Sequence, residues 1–259
     1  MLQLTPVVER LLQLNIGLFL AIKFLGLDLV DLLGLRYVLS EHFRPYQFLT
    51  HLFVHAGFMH LFSNMFALVT FGPILEHTLS SKRFVLFYLL TGLGAAALYA
   101  GVCYLEVSKV QALYHTYLAY PSPASFDTFL SKFPQATHSS FSHFIHTFFK
   151  YPDDPAYIAR SKAIVSQLYR FKADMPTVGA SGAIFGILTA FAMLFPNAQL
   201  SLLFLPIPIR AKYFIVLYGL YELYAGIQDN PTDNVAHFAH LGGILLGYLF
   251  IRWWKRSCQ

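Results

Sequence analysis

Apolar residues recur along this chain in blocks of about twenty, separated by short clusters of charged residues, proline and glycine. Blocks of that length match the hydrocarbon thickness of a bilayer, and the pattern predicts six membrane-spanning helices. They lie at about 8–27, 57–77, 84–104, 179–195, 210–227 and 235–254. The first carries Lys23 within it, and the second closes on Gly72-Pro73-Ile74-Leu75-Glu76. The third offers Gly92, Gly94, Ala95, Ala96 and Ala97 as a face for close packing. Pro196 stops the fourth, and the Pro-broken segment Leu205-Pro206-Ile207-Pro208 precedes the fifth.

Two stretches depart from the pattern. The loop at 28–56 holds the polar cluster Ser40-Glu41-His42 and the interfacial aromatics Tyr37, Phe43 and Tyr46. Residues 105–175 are rich in Ser, Thr, Pro, Tyr and Phe and too polar to span. Within them Ile158, Ile164, Val165, Leu168 and Tyr169 have helix-compatible spacing, which predicts one or two amphipathic helices lying on the membrane or the bundle. The expected fold is an all-α, polytopic six-helix bundle. A single membrane domain covers 1–259, with 105–175 as a long extracytoplasmic insertion between helices three and four.

Composition supports this division. The 259 residues are 56% hydrophobic and 12% charged, against about 25% charged in a soluble domain. The net charge of +5 comes from basic residues that mostly flank the apolar blocks, so it marks orientation and no nucleic-acid partner is expected. Arg10, Lys82, Arg83, Arg210, Lys212, Lys255 and Arg256 fall on one side, while the opposite short loops hold only Arg36 and Arg44. The chain is therefore expected N-in and C-in, as an integral, multi-pass protein of a bacterial inner membrane. Cys103 and Cys258 predict no disulfide framework, and the first residues lack the features of a cleavable signal peptide.

In this topology helices two, four and six all enter from the outside. His60, Asn64, Ser181 and His240 then share one depth below the outer surface. Ser181 stands in Gly179-Ala180-Ser181-Gly182 at the head of helix four, and His240 sits in His-Leu-Gly-Gly-Ile-Leu-Leu-Gly on helix six. A serine hydroxyl is a weak nucleophile without a base, and His240 is the available one. Gly182 and Gly186, with Gly243 and Gly247, form small-xxx-small pairs that let two helices approach closely. His60 and Asn64, spaced i, i+4, leave helix two on one face and can donate to a developing oxyanion beside the backbone N–H of Ser181.

Bland readings compete with each element. The glycines can serve packing alone, the serine can cap its helix, and the His60–Asn64 pair can fix the bundle. His51, His55, His60, His237 and His240 invite a zinc reading. No carboxylate joins them at ligand spacing and His-Glu-x-x-His is absent, so no metal and no cofactor are expected. His51 and His55 are expected to structure the external loop, and His237 to orient His240 or face the interface.

Taken together, His55-Ala-Gly-Phe-Met-His60-Leu-Phe-Ser-Asn64-Met, Gly179-Ala-Ser181-Gly182 and Ala239-His240-Leu-Gly-Gly243-x-x-x-Gly247 resemble the rhomboid family of intramembrane serine proteases. The resemblance spans helices two through six and leaves out 105–175. It implies a Ser181–His240 dyad with no third acid, oxyanion help from His60 and Asn64, and water entering from outside. It also implies that Phe185 packs against the catalytic histidine, and that Gly72 to Glu76 close helix two. Clients would be transmembrane proteins, met within the lipid bilayer and cut in or near their membrane segments. One departure is that Tyr46-Gln47 stands where many members carry Trp-Arg, with Arg44 close by. The alternatives are a catalytically inactive rhomboid-like protein that binds clients, and a transporter. The transporter is disfavoured by the lack of inverted repeats, with Glu222 the one carboxylate clearly inside helix five.

Overall fold

The computed structural model describes residues 3–202, 205–228 and 235–257. It is mostly helical. Helix α1 (Pro6–Leu25) is followed by α2 (Leu29–Leu33), α3 (Gln47–Thr50) and a 3-10 turn (His51–Phe53). Then come α4 (Phe58–Leu79), α5 (Ser81–Ala119), α6 (Pro123–Leu130), α7 (Gln135–Ser140), α8 (Ser142–Lys150) and α9 (Pro155–Asp174). Helix α10 (Ser181–Leu194) leads through strands β1 (Gln199–Leu202) and β2 (Leu205–Arg210) to α11 (Ala211–Gln228) and α12 (His237–Ser257).

The six expected helices correspond to α1, α4, α5, α10, α11 and α12. Among the described helices, α4 and α5 are long and apolar enough by themselves to cross a membrane, whereas α10 has only 14 residues. Helix α10 is apolar on every face, so it is buried on every face, from Gly182 through Ala192. It is the axis around which α4, α5, α11 and α12 assemble. Lys23, the charge expected to weaken the first helix, lies in the last turn of α1 with its ammonium 5.9 Å from the Phe19 ring centre, and Gly26 ends the helix in the left-handed region. At the opposite end of α1, Glu76 of α4 accepts from the Val7 and Val8 amides, 3.1–3.2 Å away, and from Ser81 Oγ at 2.6 Å. One carboxylate thereby caps α1 and ties down the start of α5.

Three expectations change. Helix three does not end near 104 but continues unbroken to Ala119, because its polar residues beyond 104 are compatible with a helix once it has left the apolar layer. The insertion holds four helices, α6 to α9, rather than one or two. They do not merely lie on a surface: with the end of α5 they enclose a core of Val110, Tyr117, Phe126, Phe129, Leu130, Phe148 and Val165. Ser122 and Ser125 form a capping box at the head of α6, and Asp154 caps α9. The Pro-broken segment before helix five is a strand, paired antiparallel with β1 through Gln199 with Arg210 and Leu200 with Ile209. A two-stranded hairpin thus joins a fold expected to be all-α.

Backbone bonds fasten the 28–56 loop to the chain that enters α10. Leu35 and Thr177 exchange two hydrogen bonds of 2.8 Å, and the Gly179 amide donates to the His51 carbonyl at 2.9 Å. Gln47 is buried. Its amide nitrogen donates to the Leu32 and His42 carbonyls, and its oxygen accepts from the Arg44 amide. The buried Arg36 guanidinium bonds both Asp31 and the Asp174 carbonyl at the end of α9. The nucleophile candidate is therefore approached by a strap held from both sides.

Candidate functional site

Ser181 is the first residue of α10, and the first amides of a helix have no carbonyl within it to bond. The turn before it depends on Gly179, whose φ is +123°. A Cβ there would lie 2.5 Å from His60 Nε2, so the glycine also makes room for the His60 ring beside the serine. A small space of about 20 Å3 adjoins Ser181, lined among others by His51, Tyr99, Thr177 and Ala236. That is room for about one water molecule with polar partners nearby.

Helix α12 meets α10 backbone to backbone. A Cβ on Gly243 would lie 2.1 Å from the Gly182 carbonyl oxygen, and one on Gly247 would lie 2.9 Å from that of Gly186. Gly182 and Gly186 turn their own α-carbons to α5, against Ala95 and Thr91. The glycines thus build a three-helix contact of α5, α10 and α12. His240, one turn before Gly243, stacks on Phe185 with ring centres 4.2 Å apart and planes 17° from parallel. Phe71 of α4 meets Phe191 of α10, and Lys255 Nζ reaches the Met193 carbonyl at 2.9 Å. Helices α4, α10 and α12 therefore run parallel, with His60, Ser181 and His240 at their common first-turn level.

Ser181 and His240 share this level, but no hydrogen bond joins them among the described residues. Asn64 Nδ2 donates to the His60 carbonyl at 2.7 Å, within its own helix. His55 is buried with its ring edge-on to His60 at 5.0 Å, and neither of its ring nitrogens has a hydrogen-bond partner among the described residues. Burial pushes His55 down to about 3 and His51 to about 4, so both rings are neutral near pH 7. His51 Nδ1 lies 2.9 Å from the Gln47 carbonyl, which fits a loop-structuring role.

The sequence reading missed Glu222. It found no carboxylate at ligand spacing from the histidines and implied no third acid. In space, α11 brings Glu222 Oε2 to 2.6 Å from His237 Nδ1 and 2.9 Å from His240 Nδ1, with all three residues buried. Spacing along the chain cannot show this, because Glu222 and the histidines lie on different helices. A carboxylate placed in an apolar helix was the signal, since such groups are functional candidates by default. These separations are hydrogen-bond lengths. Two ligands on a tetrahedral zinc stand about 3.3 Å apart, from bonds near 2.0 Å.

The model of the rhomboid domain matches residues 42–109 and 156–256, more than half of the chain. The chain belongs to the rhomboid family. The unmatched middle, 110–155, is most of the insertion. The rhomboid-like protein 11, chloroplastic, of Arabidopsis thaliana is 36% identical over 87 residues, which are 33% of this chain and 29% of that protein. Rhomboid protein 1, mitochondrial, of Saccharomyces cerevisiae is 36% identical over 76 residues, 29% of this chain and 21% of that one. The chain thus spans less than a third of either relative's length in these matches. Rhomboid membership and the apolar helices make this an integral membrane protein. The expected bacterial inner membrane finds no support, because both relatives carry organellar names. Rhomboids include serine proteases and inactive members.

Proposed function

We propose that this rhomboid is an intramembrane serine protease acting through Ser181 and His240. The observation that carries the reading is the Gly182–Gly243 backbone contact, which sets the first turns of α10 and α12 against each other and keeps His240 stacked on Phe185 beside the serine. The six-helix, N-in and C-in topology belongs to this proposal, with the insertion outside and the site opening toward it.

In the reaction, Ser181 Oγ attacks the carbonyl carbon of a client's peptide bond and His240 Nε2 takes the hydroxyl proton. The new oxyanion is met by the Ser181 amide and by His60, whose ring already rests on Gly179. Asn64 joins by releasing its bond to the His60 carbonyl. Collapse breaks the C–N bond, and His240 returns the proton to the leaving amine. Water in the space beside Ser181 then gives a proton to His240 and attacks the acyl ester; the C–O bond to Ser181 breaks, the acid leaves, and His240 returns the proton to the serine oxygen. Clients are membrane proteins whose segments reach this level of the bilayer.

A fluorophosphonate tests the reading. The protein in detergent is expected to be labelled at Ser181, with no labelling of Ser181→Ala and at least about a hundredfold slower labelling of His240→Ala. Full-rate labelling without His240, or none of the wild type, favours the inactive client-binding reading.

A further inference from the structure

Helix α11 faces the bundle with one seam, and that seam is polar at a single point. Tyr218 meets the Phe185 ring at 4.8 Å, Gly219 lies against Ile244, and Gly226 lies against His237 and Phe238. Between them Glu222 is 2% exposed, while Leu217, Leu220, Tyr221 and Tyr224 on the rest of the helix are exposed. A carboxylate so enclosed needs donors, and among the described residues two imidazole Nδ1 atoms stand within hydrogen-bond distance of it. His237 Nδ1 makes the shorter bond. His240 Nδ1 is buried without an aligned partner, and Glu222 Oε2 stands 2.9 Å from it. A small rotation of the ring brings that N–H into line.

We propose that Glu222 is a positioning residue that holds His240 in the Nδ1–H tautomer, leaving the Nε2 lone pair for Ser181. This rests on the protease reading and turns the dyad implied by the family resemblance into a Ser181–His240–Glu222 relay without proton transfer to the acid. A ring free to choose its tautomer presents the wrong nitrogen part of the time, and the imidazolium formed during attack lacks a counter-charge. His237 competes for the same oxygen and so tunes how firmly His240 is held. His240 stacks on Phe185 and stands edge-on to His237, with ring centres 6.4 Å apart.

The test uses Glu222→Gln, which keeps shape and removes charge. Its kcat on a transmembrane peptide substrate is expected to fall by about 10- to 1000-fold with KM within about threefold of wild type. 15N-histidine spectra of the unmutated protein are a second measurement independent of the variant's folding: His240, assigned by comparison with His240→Ala, is expected with its proton on Nδ1. A wild type that is active and matched by Glu222→Gln in kcat overturns this inference alone, as does a His240 ring protonated on Nε2 at neutral pH. A wild type that neither cleaves nor labels at Ser181 overturns the protease reading, and this inference with it.

Discussion

Where α10 meets α12, main chain touches main chain, and there is no room for a methyl group on Gly243. Where the end of α5 meets α6 and α8, Phe126 packs on the rings of Tyr117, Phe141, Phe144 and Phe148, with centres 5.4–6.5 Å apart. The two regions are held together by opposite means. In lipid, burying an apolar side chain gains little over leaving it in the acyl chains, so helices associate by close approach of small residues. In water, large aromatic surfaces supply the drive. One chain uses both, as the topology proposed above requires, with the bundle in lipid and the insertion outside it.

The contrast can be broken most severely at the glycine contact. Gly243→Val is expected to cost at least about 3 kcal/mol, because the clash is with backbone that cannot rotate away. The expected outcome is a lower apparent thermal midpoint in detergent together with loss of Ser181 labelling. An unchanged midpoint and rate would mean that α10 and α12 do not meet there.

Phe126→Ala attacks the other region. It is expected to destabilise the insertion by about 3–5 kcal/mol, read as faster proteolytic nicking between 120 and 155. Labelling at Ser181 by a small fluorophosphonate should change less than about threefold, since the bundle keeps its own contacts. Equal loss of both would show that the two regions unfold as one.

The smallest effect sharpens the comparison through pH. The buried core of the insertion holds no histidine among the described residues, whereas His55 is buried at the head of the bundle. Its folded value of about 3 lies below the unfolded 6.5, so below pH 6.5 the unfolded chain binds a proton that the fold does not. Stability is then lost as pH falls, by about 2 kcal/mol at pH 5 from this one group. His55→Gln should flatten the drop in thermal midpoint between pH 7.5 and 5. An equally steep drop in that variant assigns the effect to other groups.

The sequence made the bundle legible because each apolar block is a continuous local signal. Ser181, His60 and His240 each fall near the start of an expected helix, and the structure brings those helix starts together. The insertion was read less well. Its core is assembled from aromatics scattered over α5, α6, α8 and α9, and no short window contains the pattern. The Gln199–Arg210 hairpin was missed for a different reason: prolines that forbid a helix are tolerated in a two-stranded ribbon whose outer edge is unpaired. Gln47, noticed in the sequence only as a departure from the family pattern, fixes the strap through three backbone bonds of its amide group, which its position in the chain does not reveal. Glu222 depends on how α11 turns against α12, a rotation that composition leaves open.

Helix α5 has 39 residues and no proline, a rod of about 58 Å against a bilayer of about 40–45 Å with its headgroups. Its lower part touches Gly182 through Ala95, and its upper part carries Tyr117 into the insertion's core. Those two points are separated by about 33 Å of rigid helix. Because no joint interrupts that rod, the insertion's core and the glycine contact keep one fixed spacing, and any tilt of α5 at one of them is passed on to the other.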